Sequence, residues 1–139
     1  MRNPLILLAP VLLAGCVNES ASYYIDGNEH TLNLRARQDH FWSKQVTLRL
    51  VAAHLPECQR QFVLGETPLA DLDVELFASG DQVYTLRAGQ QVWQVETQGC
   101  TQLAPPAQLT GEPLGAFRLD ESGKKLVFEK AAATATARQ

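Results

Sequence analysis

The sequence predicts an all-β fold, a small antiparallel β-sandwich or up-and-down barrel of about eight short strands. Three observations carry this. Apolar and polar residues alternate with period 2 along several segments, the signature of a half-buried strand. Turn dipeptides such as Asp26-Gly27, Gly80-Asp81 and Gly89-Gln90 recur between those segments, as hairpins require. No helix-length stretch separates them, so the long crossovers of a parallel sheet are missing.

The elements follow in chain order. Residues 16–22 are small and polar and suit a tether. Tyr23-Tyr24-Ile25, the Asp26-Gly27 turn and Thr31–Arg37 form a first hairpin, with Leu32, Leu34 and Ala36 on one face and Asn33, Arg35 and Arg37 on the other. In Val46–Ala53, Val46, Leu48, Leu50 and Ala52 alternate with Thr47 and Arg49, and Pro56 then stops pairing. Cys58–Leu64 reads as the returning strand; a helix over 51–63 is the alternative, with Pro56 in its middle. Gly65–Leu72 is a turn with one short helical turn, Thr67 its cap and Pro68 its first residue. Asp73–Ser79, Gln82–Ala88 and Gln91–Thr97 are three closely spaced strands rich in Val, Tyr, Thr and Trp. Residues 101–113 are loop, with Pro105-Pro106 extended. Leu114–Leu119 and Lys124–Lys130 make a last hairpin, so residues 23–130 form a single β domain, and 131–139 are expected to be a disordered tail.

The first residues are an address. Arg2 is followed by the apolar run Leu5–Leu13, then by Ala14 and Gly15, the layout of a secretory signal peptide. The run is shorter than the roughly 20 residues of a bilayer span. Leu13-Ala14-Gly15-Cys16 resembles the lipobox of bacterial lipoproteins. That resemblance implies a lipoprotein signal peptide over 1–15, cleavage before Cys16, and diacylglyceryl attachment at the Cys16 thiol, where a thiolate is the nucleophile. Several acyl chains, at about 0.8 kcal/mol per buried methylene, make a durable anchor. Val17, which is not Asp, implies by the same resemblance sorting to the outer membrane but not which face carries the domain; the periplasmic face is the expectation. The membrane is thus the first expected partner.

Cleavage would leave 124 of the 139 residues and take Arg2 away, moving the net charge from −3 to −4. With Cys16 consumed by lipid, Cys58 and Cys100 are expected to pair in an oxidising compartment. The net negative charge and the lack of a basic excess argue against a nucleic-acid partner.

The residues offer little chemistry. His30, His40 and His54 sit at no metal-ligand spacing, and no G-x-S-x-G elbow supplies a nucleophile. No catalytic residue, metal ligand or cofactor is expected. Asp71, Asp73 and Glu75 share one strand parity and read as a solvated face. Two features leave binding open. Phe41 and Trp42 lie in a polar connection, where packing as a plug at one end of the domain is the simpler expectation and a recognition loop the alternative. Arg35, Arg37, Arg49 and Arg60 have parities compatible with one outward basic stripe, although a plain solvated face would use the same residues.

Ala78-Ser79-Gly80-Asp81-Gln82-Val83-Tyr84, followed by a strand and Cys100, resembles periplasmic lipoprotein inhibitors of lysozyme. Those are small disulfide-bonded β-barrels whose Ser-Gly-x-x-Tyr-like loop enters the enzyme cleft; here three residues separate Gly80 from Tyr84. The resemblance implies inhibition of lysozyme-type hydrolases as the alternative function. The primary expectation is a non-enzymatic, outer-membrane-anchored lipoprotein acting in envelope binding or assembly, with an envelope protein or glycan as partner.

Overall fold

The computed structural model describes residues 17–131. Ten strands are present among them: β1 (Asn18–Asp26), β2 (His30–Arg37), β3 (Gln45–His54), β4 (Cys58–Pro68), β5 (Asp73–Gly80), β6 (Val83–Ala88), β7 (Gln91–Glu96), β8 (Thr101–Leu103), β9 (Glu112–Leu119) and β10 (Leu126–Lys130). A 3-10 turn, Leu69–Asp71, joins β4 to β5. The strands form two antiparallel sheets, ordered β1-β2-β3-β4 and β10-β9-β5-β6-β7-β8, and the fold is sandwich-like. The signal segment 1–15, Cys16 and the tail residues 132–139 lie outside the described residues.

Alternation builds the core. Leu32, Leu34 and Ala36 from β2, and Val46, Leu48, Leu50 and Ala52 from β3, point inward and are fully buried. They meet Val74, Leu76, Leu86, Val95 and Phe117 of the second sheet in one hydrophobic cluster. Each such Leu or Phe contributes about 1.5–3 kcal/mol by leaving water. The Asp26-Gly27 and Gly89-Gln90 turns work as read, with Gly27 and Gly89 at φ 65° and 62°, where a Cβ would be strained.

The two sheets are also tied along their sides. Tyr23 of β1 packs against Phe128 of β10, ring centroids 5.1 Å apart. On the other side, Gln91 Nε2 of β7 donates to Glu66 O of β4 at 2.9 Å. The Cys58–Cys100 disulfide joins the start of β4 to the residue before β8, across a sequence separation of 42.

Three details depart from the sequence reading. β1 starts at Asn18, so most of the segment read as tether is strand. Its inward positions need only Ala21 at that point, and its backbone pairs with β2 continuously from Asn18↔Arg37 to Tyr24↔Thr31. Thr67 caps no helix: it is buried in β4 opposite Val46, and the 3-10 turn starts two residues later without a side-chain cap. A three-residue strand, β8, arises within the segment read as loop. Residues beyond it carry the chain across the sheet, so that β9 pairs with β5 rather than with β8.

Candidate functional site

Arginine is placed differently on the two outer faces. On the second sheet every arginine of the face has a carboxylate. Arg87 donates to Glu75 Oε1 at 2.6 Å, and Arg118 sits between Asp73 (3.1 Å) and Glu129 (3.2 Å). These pairs follow from register: Glu75 lies opposite Arg87, and Asp73 opposite Arg118. Asp73, then Glu129, hold the Arg118 guanidinium firmly in its charged form. The acidic residues 73 and 75 are therefore spent on arginine, while Asp71 lies in the 3-10 turn.

The first sheet's outer face is built otherwise. The β2–β3 register sets Arg35 directly opposite Arg49, like charge against like charge. Arg37 follows on the same face, and its β1 neighbour is Asn18. Arg35, Arg37 and Arg49, with Asn18 and Gln61, line one open depression of about 250 Å³. No carboxylate lines it, and none of the three arginines forms an ion pair among the described residues. Directly opposed like charges destabilise a sheet by a few tenths to about 1 kcal/mol. Three guanidinium forks around one concavity suit an oxyanion, because their donors match phosphate and carboxylate geometry.

Arg60 does not join them. It pairs with Ala52, so its parity is that of the inward residues, and its guanidinium lies over the Phe62 ring, 5.7 Å from the centroid. Parity along one strand is readable from sequence, but parity between strands depends on the register across the 55–57 turn.

Phe41 and Trp42 do not plug the domain. They are 65% and 67% exposed, on the connection between β2 and β3. Their rings pack edge to face at 4.8 Å, and His40 stacks on Trp42 at 4.6 Å. The connection is held instead by Gln38, which is buried and donates its side-chain amide to the backbone of Phe41 and Ser43. Gln38 continues the inward parity of Leu32, Leu34 and Ala36 one step past the end of β2, a signal masked by its polar side chain.

The remaining titratable cluster is structural. His30 and His54 stack at 4.1 Å; His30 Nε2 shares a hydrogen bond with Thr97 Oγ1 (2.8 Å), and His54 Nδ1 donates to Thr97 O (3.0 Å). Burial, and secondarily His54, depress the His30 pKa, while Asp26 opposes them. Ser79 is likewise engaged, sharing a hydrogen bond with Thr85 Oγ1 (2.7 Å) and donating to Thr110 O (2.9 Å), while Tyr84 is buried.

The chain matches no family model, no curated protein and no solved structure.

Proposed function

We propose that the chain is a lipid-anchored, non-enzymatic binding domain of the cell envelope, which holds a phosphate-bearing envelope component on its arginine face. The observation that carries this is the unpaired trio Arg35, Arg37 and Arg49 around one depression. On the second sheet, by contrast, arginines are matched to carboxylates by register. A cost in stability without a counter-ion suits a ligand that brings the counter-charge. The lipobox-like Leu13–Cys16 supplies the compartment, and glycan and lipid phosphates are the anions abundant there. His30 and His54 are engaged with each other and with Thr97, which supports a structural role for that pair.

The test is calorimetric titration of the lipidated chain in detergent with a water-soluble phosphorylated oligosaccharide and with its unphosphorylated counterpart. The phosphorylated form is expected to bind and the other not. Arg35→Gln or Arg49→Gln each weakens binding about ten-fold or more, the loss of a charge-assisted hydrogen bond. Competition by phosphatidylglycerol vesicles over phosphatidylcholine vesicles would assign the phosphate to a lipid, and no competition would assign it to the glycan. Equal binding of both oligosaccharides, or indifference to the arginines, overturns the proposal.

A further inference from the structure

The start of the described chain is stapled to the turn that carries the exposed aromatic pair. Val17 N–H donates to Gln38 Oε1 at 3.1 Å, and Gln38 N–H donates back to Val17 O at 2.7 Å. The Gln38 Nε2 group then reaches Phe41 O at 3.4 Å and also donates to Ser43 O. One buried side chain thus holds both the chain start and the 39–44 turn.

Cys16 is bonded to Val17 N, and consecutive Cα atoms are about 3.8 Å apart. A lipid on Cys16 would therefore enter its bilayer next to this turn. The turn has the composition of a membrane interface. Phe41 and Trp42 are its two largest side chains and are mostly in solvent. Arg37 and Lys44 flank them, both exposed, and Asp39 is the single carboxylate between. Amphipathic aromatics beside cations settle at the headgroup level, the ring among the acyl ends and the charge at the phosphates. Adjoining exposed aromatics rimmed by polar residues are the pattern of a membrane interaction site, and here the nearest hydrophobic phase is the anchor's own bilayer.

We infer that the 39–44 turn is a membrane-docking loop, in which Phe41 and Trp42 insert at the interface of the bilayer that holds the Cys16 acyl chains. The inference rests on the lipid-anchor reading and adds a second attachment to it. Two attachments fix an orientation where one allows the domain to swivel. Docked this way, the arginine depression, which Asn18 and Arg37 line, stands close to the headgroups.

The experiment uses the full chain, purified in its lipidated form and reconstituted into phosphatidylcholine vesicles with brominated acyl chains. Bromine quenches only tryptophan that enters the bilayer, and the chain has two, Trp42 exposed and Trp93 buried in the core. The expected result is a roughly two-fold loss of tryptophan emission relative to unbrominated vesicles, since interfacial insertion of Trp42 brings one of the two fluorophores into contact. Trp42→Ser removes the loss while the protein still floats with the vesicles. If wild-type protein floats but is not quenched, the docking loop is wrong and the anchor stands. If it does not float, the anchor reading fails and the docking loop with it.

Discussion

Arg49→Gln is expected to stabilise the domain while weakening its binding. Glutamine keeps most of the aliphatic stem and removes the charge, so packing on the outer face changes little. Arg49 lies in register with Arg35, where directly opposed side chains have Cβ atoms about 4.5–5.5 Å apart. With the guanidinium groups splayed to roughly 7 Å in a near-aqueous dielectric, Coulomb's law gives about 0.6 kcal/mol of repulsion. This falls within the range of 0.2–1 kcal/mol, roughly, seen for cross-strand pairs. For a domain of this size it raises Tm by about 2–4 °C. The assay is differential scanning calorimetry at two salt concentrations. The Debye length falls from about 30 Å at 0.01 M to about 3 Å at 1 M, so the gain is present at low salt and vanishes at high salt. Lys124→Gln, in the β9–β10 turn, controls for removing one positive charge from an acidic chain. A lower Tm for Arg49→Gln at low salt, or a gain that ignores salt, would refute the reasoning, because the arginines would then be satisfied within the protein.

Further outcomes follow from the fold. Replacing Cys58 and Cys100 together by serine is expected to cost on the order of 4 kcal/mol in urea unfolding, the loop-closure value for this sequence separation of 42; an unchanged midpoint contradicts it. His30 has a depressed pKa, so the unfolded chain binds more protons than the native one. The stability from neutral His30 is complete above the ordinary value of 6.5 and is lost as pH falls through its lower native pKa. Thermal melts from about pH 7.5 to about pH 5 should therefore show a decline that is shallower in His30→Gln. Gly115 has φ 154° and packs so closely that a Cβ there would overlap Glu129 O and the Phe128 ring. Gly115→Ala should thus lose about 3 kcal/mol or more, or fail to accumulate as soluble protein; a wild-type melt would contradict the packing of β9 on β10.

Strands with buried faces were legible in the sequence because burial imposes alternation. Leu32–Leu34–Ala36 and Val46–Leu48–Leu50–Ala52 identify β2 and β3 unaided, and Gly80-Asp81 and Gly89-Gln90 separate β5, β6 and β7 at nearly their observed ends. The polar half of β1 was not legible, because an edge strand held by backbone pairing needs few apolar side chains. β8 carries no pattern in three residues, and the return of the chain to place β9 beside β5 is a long-range choice that no local segment encodes. For the site, Arg35, Arg37 and Arg49 were visible as same-parity residues, and the hairpin register then joins them. Arg60 was misplaced because the 55–57 turn sets the register of β4, and Gln38 was missed because its polar side chain masks the inward parity it shares with Leu32, Leu34 and Ala36.

Arg35, Arg37 and Arg49 are proposed to form an oxyanion site. The most direct measurement is a nuclear magnetic resonance titration of the arginine Nε–Hε signals with pyrophosphate. Arg87 and Arg118, already held by carboxylates, serve as internal controls. The account predicts saturable shifts at Arg35, Arg37 and Arg49, with the two paired arginines unmoved. Shifts spread over all arginines, or centred on Arg87 and Arg118, would contradict it.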